Sequence, residues 1–242
     1  MNLPRKTKDA VKNVYIDEGL MGKLSEHLRQ MGLDATLLPP ESPEAVGPRW
    51  KKGPFASGRS LGCIKIKNRN LNLIQVEKAM TEEPSHTGGP DGPGEEIDLG
   101  RLVYLYHFIV RVDIEGLEGK LKAEIKPITK GFLSRKATDF KWEGRELAER
   151  LNLDSQLKNM LLKNGLNKLP IIEVRADKAN KCVRITRTPP IPKWTLGPRS
   201  REEAVALLTV GKEFPTREEF ETYDRIAHHI RSMRKGSDLI TK

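Results

Sequence analysis

The chain has 242 residues, of which 37% are hydrophobic and 31% charged, and its formal net charge is +10 at pH 7. This composition is typical of a soluble globular protein with one large domain, or with a core domain and appendages. The longest mostly apolar run, residues 102–110, is far shorter than the ~20 residues that cross a bilayer, so we expect no transmembrane segment.

The start of the chain and its two cysteines predict a location. Residues 1–12 are charged and no apolar block follows them, which argues against a secretory signal. Cys63 and Cys182 lie in separate strand-like segments without the spacing of metal ligands, so we expect buried, reduced thiols. Reduced thiols are typical of intracellular proteins. We therefore predict a cytoplasmic protein without a metal or a cofactor.

The first 60 residues predict one helix and a connector. Apolar residues recur at helical spacing over residues 7–31, and Gly32 is well placed to end this helix. Residues 33–60 are rich in Pro and Gly and carry bases. We assign residues 1–32 to an N-terminal amphipathic helix, which docks as an appendage on the core or on a partner, and residues 33–60 to a Pro/Gly-rich basic connector.

The sheet is predicted to begin with a hairpin. Residues 61–67 and 71–76 have strand patterns, and residues 68–70 have the composition of a turn. Residues 81–100 then carry six acidic residues and no Lys or Arg, and they predict a mobile acidic linker.

Residues 101–114 predict the central strand of the sheet. The even positions are all apolar, and the odd positions are apolar only in the first part, since Arg111 and Asp113 follow. Burial of one such large side chain contributes about 1.5 to 3 kcal/mol. This strand is therefore able to found a hydrophobic core.

The remaining elements complete an α+β core at residues 61–188. Residues 120–128 predict a half-exposed strand, and a further short strand ends at Trp142. Residues 145–163 predict a helix that breaks near Asn152, with Asp154 as the cap of its second half. Residues 170–177 and 181–188 predict a second hairpin.

Residues 189–242 predict a Pro linker and a C-terminal helical hairpin. Capping boxes begin at Ser200 and Thr216 and predict helices over residues 201–210 and 217–234. The whole chain is thus predicted to form a curved antiparallel sheet of about six or seven strands packed on a broken helix, with an N-terminal helix and the C-terminal hairpin.

The distribution of charge is the best functional signal. Residues 49–69 contain seven basic residues and no acid, and residues 178–201 again contain seven and none. Lysines on exposed strand faces and tryptophans beside bases are features of surfaces that bind phosphates and stack on unpaired bases. The candidate anion-binding residues are Trp50, Lys51, Lys52, Lys65, Lys67, Arg69, Lys120, Lys122, Lys126, Trp142, Lys193 and Trp194. Alternatively, the lysines form only the solvated face of the sheet, and each Trp pins a loop to the core.

Catalytic and metal sites have weaker support. His107, Arg111 and Asp113 are predicted on one face of the central strand, where a His beside a carboxylate is able to act as acid or base, but no nucleophile or phosphate loop accompanies them. His228 and His229 point about 100° apart on a helix and so cannot readily chelate one ion.

We therefore predict a non-enzymatic cytoplasmic binding module whose basic sheet face binds a polyanion, with nucleic acid favoured over anionic membrane. One alternative is a carrier for a small ligand or a lipid, with an apolar pocket lined by Tyr104, Tyr106, Phe108 and Leu157. Another is a structural adaptor that binds a protein partner through its terminal helices.

Overall fold

A computed structural model describes residues 19–47, 59–80, 102–130, 136–163, 171–189, 209–210 and 213–237. These residues form one sheet with four helices, which confirms the predicted α+β class and its antiparallel sheet. The predicted acidic linker, residues 81–100, lies outside the described residues, as do residues 1–18.

The described part of the chain contains nine strands and four helices. The strands are β1 (Ala35–Leu37), β2 (Arg59–Ile66), β3 (Leu73–Met80), β4 (Leu102–Val110), β5 (Ala123–Lys130), β6 (Lys136–Gly144), β7 (Ile171–Asp177), β8 (Cys182–Thr188) and β9 (Thr209–Val210). The helices are α1 (Leu20–Gln30), α2 (Glu146–Leu153), α3 (Ser155–Leu162) and α4 (Arg217–Ser237).

The strand order is β1-β2-β3-β4-β8-β7-β5-β6, and the short β9 pairs in parallel with β4. The eight strands of this path exceed the predicted six or seven, partly because β1 forms within the predicted connector. β4 lies between β3 and β8 and is antiparallel to both, as expected of a central strand. It ends at Val110 and not at residue 114, since the backbone N–H of Arg111 donates to the side chain of Asn72 at 2.7 Å.

The even positions of β4 face the helices. Tyr104, Tyr106 and Phe108 are buried in one hydrophobic cluster with residues of all four helices. Phe108 stacks on Tyr223 of α4, with the ring centroids 4.0 Å apart. The odd positions face the other side of the sheet and are buried as well, so both faces of β4 are covered.

The predicted break in the middle helix is confirmed. α2 and α3 meet at Asp154, whose carboxylate accepts a hydrogen bond of 2.9 Å from the backbone N–H of Leu157. A side-chain acceptor at this position satisfies a donor that the first turn of a helix leaves free.

The N-terminal helix and the last helix belong to the core of the sheet. Leu24 and Leu28 of α1 are fully buried, and so are Phe220 and Ile230 of α4. The prediction of one continuous helix over residues 7–31 is wrong at Gly19. This glycine directly precedes the first residue of α1, and its φ of 77° lies in the left-handed region, which interrupts a helix.

The first helix of the predicted C-terminal hairpin is largely untested. Residues 201–208 lie outside the described part of the chain. The last two predicted helical residues form strand β9 instead, which pairs with Leu102 and Val103 in the part of β4 that β8 does not reach.

Candidate functional site

One end of the sheet collects most of the described basic candidates. The antiparallel register brings the ends of β2, β4, β6 and β7 and the starts of β3, β5 and β8 to this end. We call the basic residues along it the basic rim. The rim consists of Lys65, Lys67, Arg69, Arg111, Lys120, Lys122, Arg145, Lys178 and Lys181. Five strand spacings of ~4.8 Å separate β2 from β5, so the rim extends over about 24 Å.

The lysines that were predicted to form a basic sheet face do not lie on neighbouring strands. Strands β3, β4, β8 and β7 lie between β2, which carries Lys65, and β5, which carries Lys126. Lys126 lies farther along β5 and pairs with Glu124. The lysines are therefore arranged along an edge formed by strand ends and not across neighbouring strands.

Several rim cations have acidic neighbours. Lys65 pairs with Glu44 at 2.6 Å, and the hydrogen bond from Lys65, with the charges of Arg111 and Lys67 nearby, holds the pKa of Glu44 below its usual value. The other rim pairs are Lys67–Asp34, Arg69–Glu221, Lys120–Glu146 and Lys178–Glu118. Exposed ion pairs of this kind contribute little to the stability of the protein, so these cations can exchange their acidic partners readily.

Three rim cations have no side-chain partner in the described part of the chain. Lys122, Arg145 and Lys181 form neither an ion pair nor a side-chain hydrogen bond there, and all three are exposed. Arg111 likewise forms no ion pair there, but it donates to the carbonyl of Glu44. The backbone N–H of Arg145 donates to the carbonyl of Lys122 at 2.8 Å, which brings these two residues together beside Lys120. These groups are available to an anion without the loss of an existing partner.

The fold joins the two base-only stretches of the sequence. Gly47 is the last described residue before residues 48–58, and its N–H donates to the side chain of Asn180 at 3.1 Å. The carbonyl of Gly47 accepts a 2.7 Å hydrogen bond from Arg184. Gly47, which precedes one basic stretch in the sequence, therefore lies against the β7–β8 turn, which carries Lys178 and Lys181 of the other.

An open groove of about 690 Å³ lies in the middle of the rim. The connection from β4 to β5 passes the ends of β8 and β7, and the groove lies between this connection and the β7–β8 turn. Its lining consists of Arg111, Val112, Asp113, Ile114, Glu115, Glu118, Lys178 and Lys181. Charged groups of both signs thus surround a space of the size that small ligands occupy.

The one tryptophan that the structure describes, Trp142, is not placed for stacking on a base. Trp142 is only 3% exposed and lies in the cluster beneath the helices, where its backbone exchanges two hydrogen bonds with Asn152 of α2. Its assignment to the anion-binding surface is therefore wrong. Trp50, Lys51, Lys52, Lys193 and Trp194 lie outside the described residues.

The predicted polar site on β4 is divided between two environments. His107 is 0% exposed, and its two ring nitrogens lie 3.0 Å from Thr186 Oγ1 and 3.0 Å from Glu77 Oε2. Arg111 and Asp113 are exposed and line the groove instead. Sequence reasoning missed Glu77 and Thr186 because nothing in the local pattern reveals that β3 and β8 flank β4.

His228 and His229 do not form a metal pair. Their ring centroids are 6.1 Å apart, and His229 Nε2 lies 2.7 Å from Asp154 Oδ2. In the part of the chain that the structure describes, no three His, Cys, Asp or Glu side chains meet as metal ligands. Cys63 and Cys182 are buried free thiols, as predicted, and burial raises the pKa of Cys182 to about 11.

Comparisons with protein-family models, with curated proteins and with solved structures found no match for this chain. Among the described helices, none combines the length and the apolar character that crossing a bilayer needs. The rim and the groove are therefore the features that indicate a function.

Proposed function

We propose that the protein is a non-enzymatic binding module that holds a nucleic acid along the basic rim. The observation that carries this proposal is that nine basic residues from five separate segments of the chain meet at one end of the sheet. Both base-only stretches contribute to the rim, although more than 100 residues separate them in the sequence. A charge distribution that the fold concentrates in this way attracts a polyanion more strongly than scattered charges do.

The shape of the rim favours nucleic acid over an anionic membrane. Its length of about 24 Å corresponds to about seven phosphates at the 3.4 Å spacing of one duplex strand. A membrane surface would favour apolar side chains beside the bases. Of the described large hydrophobic residues that are exposed, Leu37 lies beside the β1 partner of Lys65, whereas the other three, Ile128, Leu153 and Ile171, lie outside the rim.

The alternative functions have less support from the described residues. Tyr106, Phe108 and Leu157 are fully buried and Tyr104 nearly so, which leaves no space beside them for a carried ligand. The apolar stripes of α1 and α4 are buried in the core and are not free to bind another protein. For catalysis, His107 lies in a buried contact with Glu77 and Thr186, where no substrate reaches it.

Salt-dependent binding tests the proposal. Fluorescence anisotropy with labelled single-stranded RNA, duplex DNA and anionic vesicles, between about 50 and 200 mM salt, should give steep salt dependence for a nucleic acid. Lys122→Glu and Lys181→Glu should each weaken binding and reduce the slope of log K against log salt by about 1.

Lys23→Glu is the matched control, because Lys23 is an exposed lysine on α1 away from the strand ends, and this variant should bind as the native protein does. Absent or salt-independent binding to both nucleic acids would overturn the proposal. Binding to the vesicles alone would reassign the rim to a membrane surface.

A further inference from the structure

We infer that the groove in the rim is a subsite for one unpaired nucleotide that carries an amino group on its base, so that the protein prefers single strands to duplexes. This inference rests on the proposed function, because it concerns how the nucleic acid lies on the same rim. It adds a preference of strand type and of base that the positive charge of the rim alone does not supply.

The position of the groove suits a strand that follows the rim. Lys65 and Lys67 lie at the β2–β3 hairpin on one side of it, and Lys120 and Lys122 lie before β5 on the other. A sugar-phosphate backbone that contacts both pairs of lysines crosses the mouth of the groove between them. A single strand is free to turn a base into this space, whereas in a duplex the bases are paired and stacked.

The cations of the groove are suited to one phosphate and one base plane. The guanidinium of Arg111 donates to the backbone carbonyl of Glu44, so its orientation is held while its other N–H groups stay available. A held guanidinium plane is a surface on which unpaired bases stack. Lys181 is unpaired within the described residues and lies at the opposite wall, where it is able to contact a phosphate.

The carboxylates of the groove select the base. Lys178 pairs with Glu118, which leaves Asp113 and Glu115 as the acids of the lining that form no ion pair with another described residue. The backbone N–H of Glu115 donates to Asp113 at 3.1 Å and so holds this carboxylate in place. Carboxylates accept hydrogen bonds from the amino group of cytosine, whereas the matching position of uracil is a carbonyl oxygen that repels them.

A comparison of two homopolymers tests this reading of the groove. We expect oligocytidylate to bind at least about fivefold more tightly than oligouridylate of equal length in anisotropy titrations at fixed salt. Asp113→Asn and Glu115→Gln should each bring this ratio close to one. Glu149→Gln, which changes an exposed carboxylate on α2 outside the groove, should leave the ratio unchanged.

The outcomes separate the two proposals. Salt-dependent binding with equal affinity for both homopolymers would overturn the nucleotide subsite and leave the nucleic-acid function standing. The same holds if duplex binds as tightly as single strand, or if the Asp113 and Glu115 variants keep the native ratio. Absence of binding to all of these nucleic acids would overturn both. Circular dichroism and thermal unfolding establish that each variant is folded before it is titrated.

Discussion

The two faces of the sheet are buried by different kinds of side chain. The face beneath the helices is a continuous apolar cluster in which Phe108 stacks on Tyr223. On the opposite face, the described residues form two small apolar clusters, and between these the face buries polar and charged side chains. The most deeply buried of these are Gln75, Glu77, His107, Arg184 and Thr186, which are at most 1% exposed.

The two faces therefore contribute to the structure in different ways. Apolar burial is strongly stabilising but non-directional. It therefore holds the helices on the sheet without determining the exact positions of the neighbouring segments. Buried polar groups need hydrogen-bond partners in defined directions. Arg184 contacts Asp177, Gln75 and the carbonyl of Gly47, and thereby joins two strands and the connector at the groove end of the sheet. The polar face therefore positions the segments that form the rim.

The largest effect is expected from Arg184→Ala. This change leaves Asp177 and Gln75 without their buried cation, and it should lower the free energy of unfolding by about 3 to 5 kcal/mol in urea titrations. Arg175→Ala is the control. Arg175 lies opposite Arg184 in the β7–β8 register, but its side chain is half exposed, so its loss should cost under about 1 kcal/mol. Equal effects of the two changes would refute the assigned role of the polar face.

A smaller effect is expected from Asp154→Asn, in a charged cluster beneath the helices where Arg225 and His229 contact this carboxylate. Burial acts to raise the pKa of Asp154, but hydrogen bonds from Arg225 and His229 outweigh it, so the pKa lies well below the usual value of 3.8. A lowered pKa in the folded state means that the unfolded state binds the proton more tightly. The stability from this group is thus present at neutral pH and is lost as the pH falls below the unfolded value.

We expect Asp154→Asn to lower the free energy of unfolding by about 2 kcal/mol at neutral pH. The difference from the native protein should shrink at about pH 3, since the native carboxylate has by then lost part of its contribution. Urea titrations at both pH values measure it. A difference that is the same at both values would contradict the assigned cause of the lowered pKa.

The smallest effect is expected from Tyr106→Phe. Within the described part of the chain, the buried hydroxyl of Tyr106 has no hydrogen-bond partner, and neither do Nε and Nη1 of the neighbouring Arg187. Removal of an unsatisfied buried hydroxyl should raise the free energy of unfolding by about 1 kcal/mol. Thermal unfolding measures the change, and a lower melting temperature would mean that the hydroxyl has a bound water or ligand as its partner.

The parts of the fold that depend on nearby residues could be predicted from the sequence. The central strand, the hairpin at residues 68–70 and the helix break at Asp154 all follow from periodicity, turn composition and capping. In the sequence, the neighbouring apolar residues Leu73 and Ile74 suggest a bulge or a twist, but the strand pairing is regular at both positions. Both are buried because both faces of β3 are covered, and the register shift lies in β2 between Ser60 and Gly62.

Local patterns in the sequence predict most of the strands and helices, but not β1 or β9, and the charge of each segment can be counted from its residues. Where those charges meet depends on the tertiary structure. The β7–β8 hairpin inserts between β4 and β5, which separates Lys65 from Lys122 along the rim, gives His107 its partner Thr186 and creates the groove at Asp113. Pairing between distant strands depends on contacts far apart in the chain, and local periodicity carries no record of which strand becomes the neighbour.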